Sequence, residues 1–250
     1  MPWCWKPADP RSMERPKDIK DFYDGFAAQQ ARTGVNERHQ LIHRLARAHG
    51  LADGLRVLEM GCGIGTLTSL IVKDLPNGSL LAVDLSPVSI DRARAMLGHQ
   101  RQLELRVADV VTDPLPGPFD LIILPDILEH IPLQLHPALF RRLRNDLAPD
   151  GRILIHSPDP WYSEYIRATR PELMQVVDLA LHLPELVGNI FGAGLIVHHY
   201  QRHGIWTNAP DYMALVLAHP PAPGRYDPLP AAAGARSPRI LGRLSRWLHR

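Results

Sequence analysis

An apolar strand that runs directly into a glycine-rich turn constrains this chain more than any other feature. The stretch is Val57-Leu58-Glu59-Met60-Gly61-Cys62-Gly63-Ile64-Gly65-Thr66. Glycines without a Cβ let the backbone turn sharply and let a ligand approach it closely. The helix that starts near Gly65 aims unsatisfied N–H groups at the same space. An acid, Asp84, ends the next strand pattern. Strand, glycine turn, helix and strand-ending acid in this order predict an open parallel sheet that holds a nucleotide-like ligand at its carboxyl edge.

The pattern continues downstream. Strands are expected at 56–60, 80–84, 103–107, 119–124 and 152–156, with two closing strands at 195–200 and 212–218. Helices are expected at 66–74, from Pro87 onward, at 133–147 and through 162–192. The near-continuous apolar run at 119–124 suits a strand covered on both faces. The fold class is therefore α/β: a Rossmann-like, seven-stranded, mostly parallel sheet with helices on both faces. Ahead of it, Phe22, Tyr23 and Phe26 share one helical face and Leu41, Ile42, Leu45 and Ala46 another, which predicts an N-terminal helical lid.

The expected organisation is an extended arm at 1–18, one catalytic domain at 19–218 with its lid at 19–50 and core at 51–218, a Pro/Ala-rich linker at 219–238, and a basic amphipathic tail at 239–250. In the tail, Ile240, Leu241, Leu244, Trp247 and Leu248 fall on one helical face and Arg239, Arg243, Arg246 and Arg250 on the other. Such a segment can touch an anionic membrane or a partner, or pack on its own domain. A net charge of +2 supplies no strong field for nucleic acid. Cys4 and Cys62 cannot build a disulfide framework, no apolar run reaches the ~18 residues of a membrane span, and the first residues lack a signal-peptide core. A cytoplasmic protein, free or peripheral to a membrane, fits these features.

The glycine turn has the spacing G-x-G-x-G, with Thr66 where a dinucleotide fingerprint places its third glycine. Glu59, just before the glycines, repels a diphosphate and suits a ligand with an ammonium and a sulfonium. Asp84 can accept both hydroxyls of a ribose, and Asp109, after the third strand, can accept from an exocyclic adenine amine. At this point the chain resembles the class I S-adenosylmethionine-dependent methyltransferases. The resemblance rests on VLEMGCGIGT, LLAVDLSP, VADV, FDLIILPDILEHI and LAPDGRILIHSP in that family's order. It implies that Glu59, Gly61, Cys62 and Gly63 border the methionine moiety and that Asp84 holds the ribose. It also implies that Leu85 flanks the adenine, that Asp109 and Val110 reach its amine, and that Leu124, Pro125 and Asp126 close the site near the sulfonium.

The methyl acceptor is expected to be a small molecule, attacked at a hydroxyl oxygen, which needs a proton removed. Asp126-Ile127-Leu128-Glu129-His130 offers the base: His130 titrates near neutral pH, and Asp126 stands beside it. A second reading lets Asp126, Glu129, His130 and His156 hold a divalent cation that activates a hydroxyl. That pattern resembles metal-assisted ubiquinone-biosynthesis and RNA 2′-O-methyltransferases. A non-catalytic S-adenosylmethionine-binding module is a third reading. Tyr23, Arg38 and His39 are candidates to line the pocket from the lid, with helix capping as the competing role for His39. Trp161, Tyr162 and Tyr165 are candidates for an aromatic wall. His43, His182, His198, His199 and His203 read as isolated histidines. Oligomeric state leaves no mark in the sequence.

Overall fold

The computed structural model describes residues 34–174 and 177–222. The expected arm, the lid residues up to 33 with Tyr23, most of the linker, and the tail lie outside them. One compact unit ends at His219 and contains the whole sheet.

Strands β1 (Arg56–Met60), β2 (Ser79–Asp84), β3 (Leu103–Val107), β4 (Phe119–Pro125) and β5 (Leu147–Pro158) are parallel, while β7 (Tyr212–Ala218) runs antiparallel to both β5 and β6 (Ile196–His203). The seven stand in the order β3-β2-β1-β4-β5-β7-β6. The chain builds outward from β1 in one direction, then crosses back to β4 on its other side. That reversal opens a crevice at the carboxyl ends of β1 and β4, where α/β sheets bind ligands. β6 ends, and β7 begins, at this same edge.

Side chains alternate across the sheet, so each strand feeds two cores. On one face Leu58, Met60, Ile122, Leu124, Ile155 and Leu215 meet α4 (His136–Asp146) and α6 (Leu183–Gly192). On the other, Val57, Ala82, Leu121, Ile123 and Val216 meet α1 (Glu37–Ala48), α2 (Thr68–Ile71) and α3 (Pro87–Leu97). Helices thus cover both faces. The part of the expected lid that is described, α1, is a core layer as well: Ile42, Leu45 and Ala46 are buried in it. Its first turn reaches the carboxyl edge.

Three expected helices are shorter than the pattern suggested, each for a local reason. The 66–74 segment is α2 followed by a 3-10 turn, Val72–Asp74. The 133–147 segment opens as a 3-10 turn, Leu133–Leu135, because Pro137 has no N–H to donate to the Leu133 carbonyl, and it ends at Asp146 because Leu147 already pairs with Phe119. The 162–192 segment divides into α5 (Pro160–Thr169), a 3-10 turn at Pro171–Leu173 and α6, with Pro171 and Pro184 at the breaks. β5 starts five residues before the expected 152 and takes in Pro149-Asp150-Gly151; a register shift between Phe119 and Leu121 absorbs them.

Candidate active site

The glycine turn is held from both sides. Gly61, Gly63 and Gly65 all have positive φ, at 77°, 54° and 86°. The amides of Gly61 and Cys62 both donate to the carbonyl of Val83, which bends the end of β1 against β2. A Cβ on Gly61 would lie 2.1 Å from Cγ2 of Ile127, and one on Gly65 would lie 2.9 Å from Cδ1 of Leu97. The turn is therefore packed under Ile127 and over α3, and alanine fits at neither position. Cys62 is buried, its thiol 3.6 Å from the Gly63 carbonyl, and burial pushes its ionisation well up.

Glu59 shares a face of β1 with Val57, so its side chain enters the α2 side of the sheet. There Oε2 accepts the hydroxyl of Thr68 at 2.7 Å. Oε1 is fully buried and has no hydrogen-bond partner among the described residues. Burial pushes the carboxyl up to about 7; the Thr68 bond opposes this and the nearby Asp84 adds to it. Asp84 faces the same turn: Oδ2 accepts the Gly63 amide at 2.7 Å and Oδ1 the Ser86 amide at 2.9 Å. Ser86 in turn caps α3 by accepting from the Ser89 amide. Leu85, between these two, is 38% exposed. After β3, Asp109 folds its Oδ1 onto the Val111 amide at 2.8 Å and Val110 is half-buried against the core. Glu59, Asp84 and Asp109 thus follow or end three neighbouring strands at one edge. Leu124 departs from its expected place, because its side chain is fully buried in the core; Pro125 is the half-buried residue at the strand end.

Across the switch point the edge is lined by polar groups from four strands and α1. Asp126 follows β4 in a left-handed conformation, φ 54°, with its amide on the His156 carbonyl. Its Oδ2 accepts Nη1 of Arg38 at 2.6 Å and its Oδ1 faces Nδ1 of His156 at 2.5 Å. Burial alone would raise this carboxyl, but His156 and Arg38 outweigh it and hold the group down at about 2. Glu129 behaves oppositely: burial, then the charge of Asp126, raises it well above the ordinary range, and Oε2 accepts the Ser157 hydroxyl at 3.0 Å. His130 places Nδ1 2.5 Å from the Val177 carbonyl, so that nitrogen carries the proton, and its Nε2 lies 3.9 Å from Glu129. Burial lowers its proton affinity.

Two neighbours went unassigned in the sequence. His203, read there as an isolated histidine, puts Nε2 3.2 Å from Nε2 of His156. Tyr212 stacks on His156 at 4.8 Å between ring centroids, and its phenol favours the charged form of Arg38. Pairing the last two strand patterns as a hairpin would have found both, since Tyr212 registers with His203 on one side and with Pro158, two residues past His156, on the other.

The four residues of the metal alternative do not converge. Asp126 is engaged by a guanidinium, Glu129 turns to Ser157 and His130 to Val177; among the described residues no three His, Cys, Asp or Glu side chains form a metal-holding group. His39 caps α1: its amide donates to Asn36 Oδ1 and its Nδ1 accepts the Asn36 amide, a reciprocal box. Burial, then Arg38, lowers its ionisation to about 4, so it is neutral. Trp161 and Tyr165 are open to solvent on α5, with Trp161 edge-on to His182 and Tyr162 half-buried between them in sequence. Trp161 and Tyr165 thus both lie on the outer surface of α5.

Residues 29–194 match a family profile described as a methyltransferase domain. Trans-aconitate 2-methyltransferase of Methylobacterium nodulans is 32% identical over 136 residues, 54% of this chain and 50% of that protein. Malonyl-[acyl-carrier protein] O-methyltransferase of Priestia megaterium is 31% identical over 132 residues, 53% of this chain and 45% of that protein. The chain thus spans about half the length of these curated relatives. The crystal structure of the N-methyltransferase NodS from Bradyrhizobium japonicum in complex with S-adenosyl-L-homocysteine superposes with a TM-score of 0.59 at 18% identity, over 74% of this chain and 87% of that one.

Proposed function

Because the chain belongs to the methyltransferase-domain family, we propose that it is an S-adenosylmethionine-dependent enzyme that methylates a small molecule at a hydroxyl oxygen. The observation that carries the cofactor half is the orphaned oxygen of Glu59. A buried acceptor without a partner is costly unless a ligand meets it, and one beside a glycine turn fits an ammonium and rejects a phosphate. Glu59, with the amides of the turn, would hold the methionine end; Asp84 and Asp109 would hold the ribose and adenine, with Leu85 against the ring. When bound, the cofactor supplies a methyl group on a positively charged sulfur.

Support for an oxygen acceptor lies across the switch point. The carboxyl edges of β4 to β7 present imidazole, phenol and carboxylate groups that can orient a hydroxyl and take its proton. Two imidazoles can do so: His130, the base expected from the sequence, through Nε2, and His203 through Nδ1. Asp126, held at about 2, is ionised and poorly basic, so it orients rather than abstracts. The segment at the end of β4 is Leu124-Pro125-Asp126-Ile127, not the Asn-Pro-Pro-Tyr type used for amide and adenine nitrogens. One relative is named for transfer to oxygen and NodS for transfer to nitrogen, so acceptor chemistry must be measured. Titration calorimetry with S-adenosylhomocysteine, then a panel of phenols, catechols, 2-hydroxy acids and amines with S-adenosylmethionine, tests the proposal. Tight binding with turnover on hydroxyls supports it. No binding refutes the cofactor assignment, and binding without turnover favours a non-catalytic module.

A further inference from the structure

His156 and His203 are stacked at 5.3 Å between ring centroids and face each other through Nε2 atoms 3.2 Å apart. One proton lies between those two nitrogens, and Asp126 decides which ring owns it. Its carboxylate accepts from Nδ1–H of His156, so a neutral His156 has its lone pair at Nε2. The shared proton then belongs to Nε2 of His203. That leaves Nδ1 of His203 as a bare lone pair, and this atom is buried without a hydrogen-bond partner among the described residues. The orphaned nitrogen is at the carboxyl edge, where β6 ends beside β7 and β5.

We infer that His203 is the catalytic proton acceptor for the substrate hydroxyl, with His156 and Asp126 behind it as a relay. The inference rests on the reading of transfer to oxygen. The acceptor oxygen bonds the methyl carbon, and the carbon–sulfur bond breaks with its electron pair left on sulfur. The hydroxyl proton passes to Nδ1 of His203 while the Nε2 proton of His203 passes to Nε2 of His156. Positive charge therefore comes to rest against the Asp126 carboxylate, where it is most stable. The Nδ1–H of His130 is directed instead at the Val177 backbone carbonyl.

The groups facing the relay are few. Tyr212 stacks on both rings, Asp211 and Asp126 favour the charged form of His203, and burial and His156 disfavour it. Arg38 and His39 approach from α1, Arg38 held by Asp126. Arg202, adjacent on β6, turns away to Asp159 at 2.5 Å.

Nitrogen NMR of the full-length protein, labelled at histidine and held near neutral pH, reads the tautomer without turnover. The expected result is a pyrrole-type Nε2 and a pyridine-type Nδ1 for His203; the reverse assignment overturns the relay. On whichever member of the hydroxyl panel is methylated, His203→Gln is expected to lower kcat by at least about 30-fold. It should also remove the acid limb of the kcat profile, respond to added imidazole, and keep S-adenosylhomocysteine affinity within about twofold. His130→Gln is expected to retain the acid limb. A His203→Gln enzyme with unchanged kcat and pH profile overturns the inference. Failure of the unaltered protein to bind S-adenosylhomocysteine strikes the parent reading instead, and the tautomer is still read in that sample.

Discussion

With Glu59 against the ligand ammonium, as proposed, cofactor binding is expected to depend on pH in the neutral range. Without a cation beside it, this carboxyl titrates at about 7. An ammonium at its orphaned Oε1 favours the ionised form and draws the value back toward the ordinary 4.5. The sign follows: binding expels a proton, so affinity rises with pH up to about 7 and then levels off. With a free-state value near 7, the ionised fraction increases roughly eightfold from pH 6 to 7.5, and the dissociation constant should fall by the same factor. Moving the carboxyl from about 7 to 4.5 is worth roughly 3 kcal/mol, an upper bound on the coupling. The same group opposes folding of the ligand-free protein: its folded value lies above its unfolded one, so stability falls as pH rises from about 4.5 to 7. Calorimetry in two buffers of different ionisation enthalpy at pH 6.5 should show about 0.8 proton released per S-adenosylhomocysteine. Glu59→Gln should bind weakly with no pH slope between 6 and 7.5. Binding that releases no proton, or a Gln variant that keeps the slope, refutes the pairing of Glu59 with the ligand ammonium.

Asp84→Ala should weaken S-adenosylhomocysteine binding by roughly 30-fold, about 2 kcal/mol for charge-assisted hydrogen bonds, while circular dichroism shows the fold retained. Gly61→Ala should lower the melting temperature by roughly 5–10 °C, because about 2–3 kcal/mol of strain and overlap with Ile127 accompany the new Cβ; a shift under 2 °C contradicts the packing of the turn. Arg38→Met removes a cation from a carboxyl held at about 2. Asp126 contributes stability above its ordinary 3.8 that is lost as pH falls toward 2, so the variant should lose about 1–2 kcal/mol at pH 7 and show a flatter urea-midpoint profile between pH 5 and 2.5. Residues 239–250 carry four arginines and no acid; sedimentation with phosphatidylserine-containing vesicles should bring down the full chain but not one ending at 238, and 0.5 M salt should release it.

The placement of the residues proposed to hold the cofactor was legible in the sequence because it is local. Glu59, the glycines, Asp84 and Asp109 each sit at a strand end, and the order of strand and helix patterns was enough to bring those ends to one edge. Leu124 shows the limit of that logic: the same strand end hides alternate side chains, and period two sends Leu124 into the core beneath α4. The acceptor half was not legible because it is non-local. His203 and Arg38 reach Asp126 from opposite ends of the domain, and only the antiparallel return of β6 and β7 sets His203 beside His156. Pattern-reading placed the strands but not the sheet order, so the metal quartet looked plausible along the chain. In space a guanidinium has taken the carboxylate that a cation would need.

Two buried carboxyls at one edge are therefore set to opposite states by their surroundings, and this divides the work of the site. Glu59 lies among apolar residues with a single hydroxyl as partner, so it keeps its proton near neutral pH until a cation arrives. Asp126 lies between a guanidinium and an imidazole, so it is charged before any ligand arrives and has little affinity left for a cationic one. A cationic ligand is accordingly drawn to the β1 side and not to the β4 side, which keeps the space next to Asp126 for the neutral or anionic partner. Exchanging the two environments would fail on both counts. Thr68→Ala, which strips Glu59 of its one hydrogen bond, should raise its titration further and move the rise in cofactor affinity to higher pH, leaving the acid-range behaviour set by Asp126 where it was. A common shift of both limbs in that variant would show that the two carboxyls titrate as one system, and the division would be wrong.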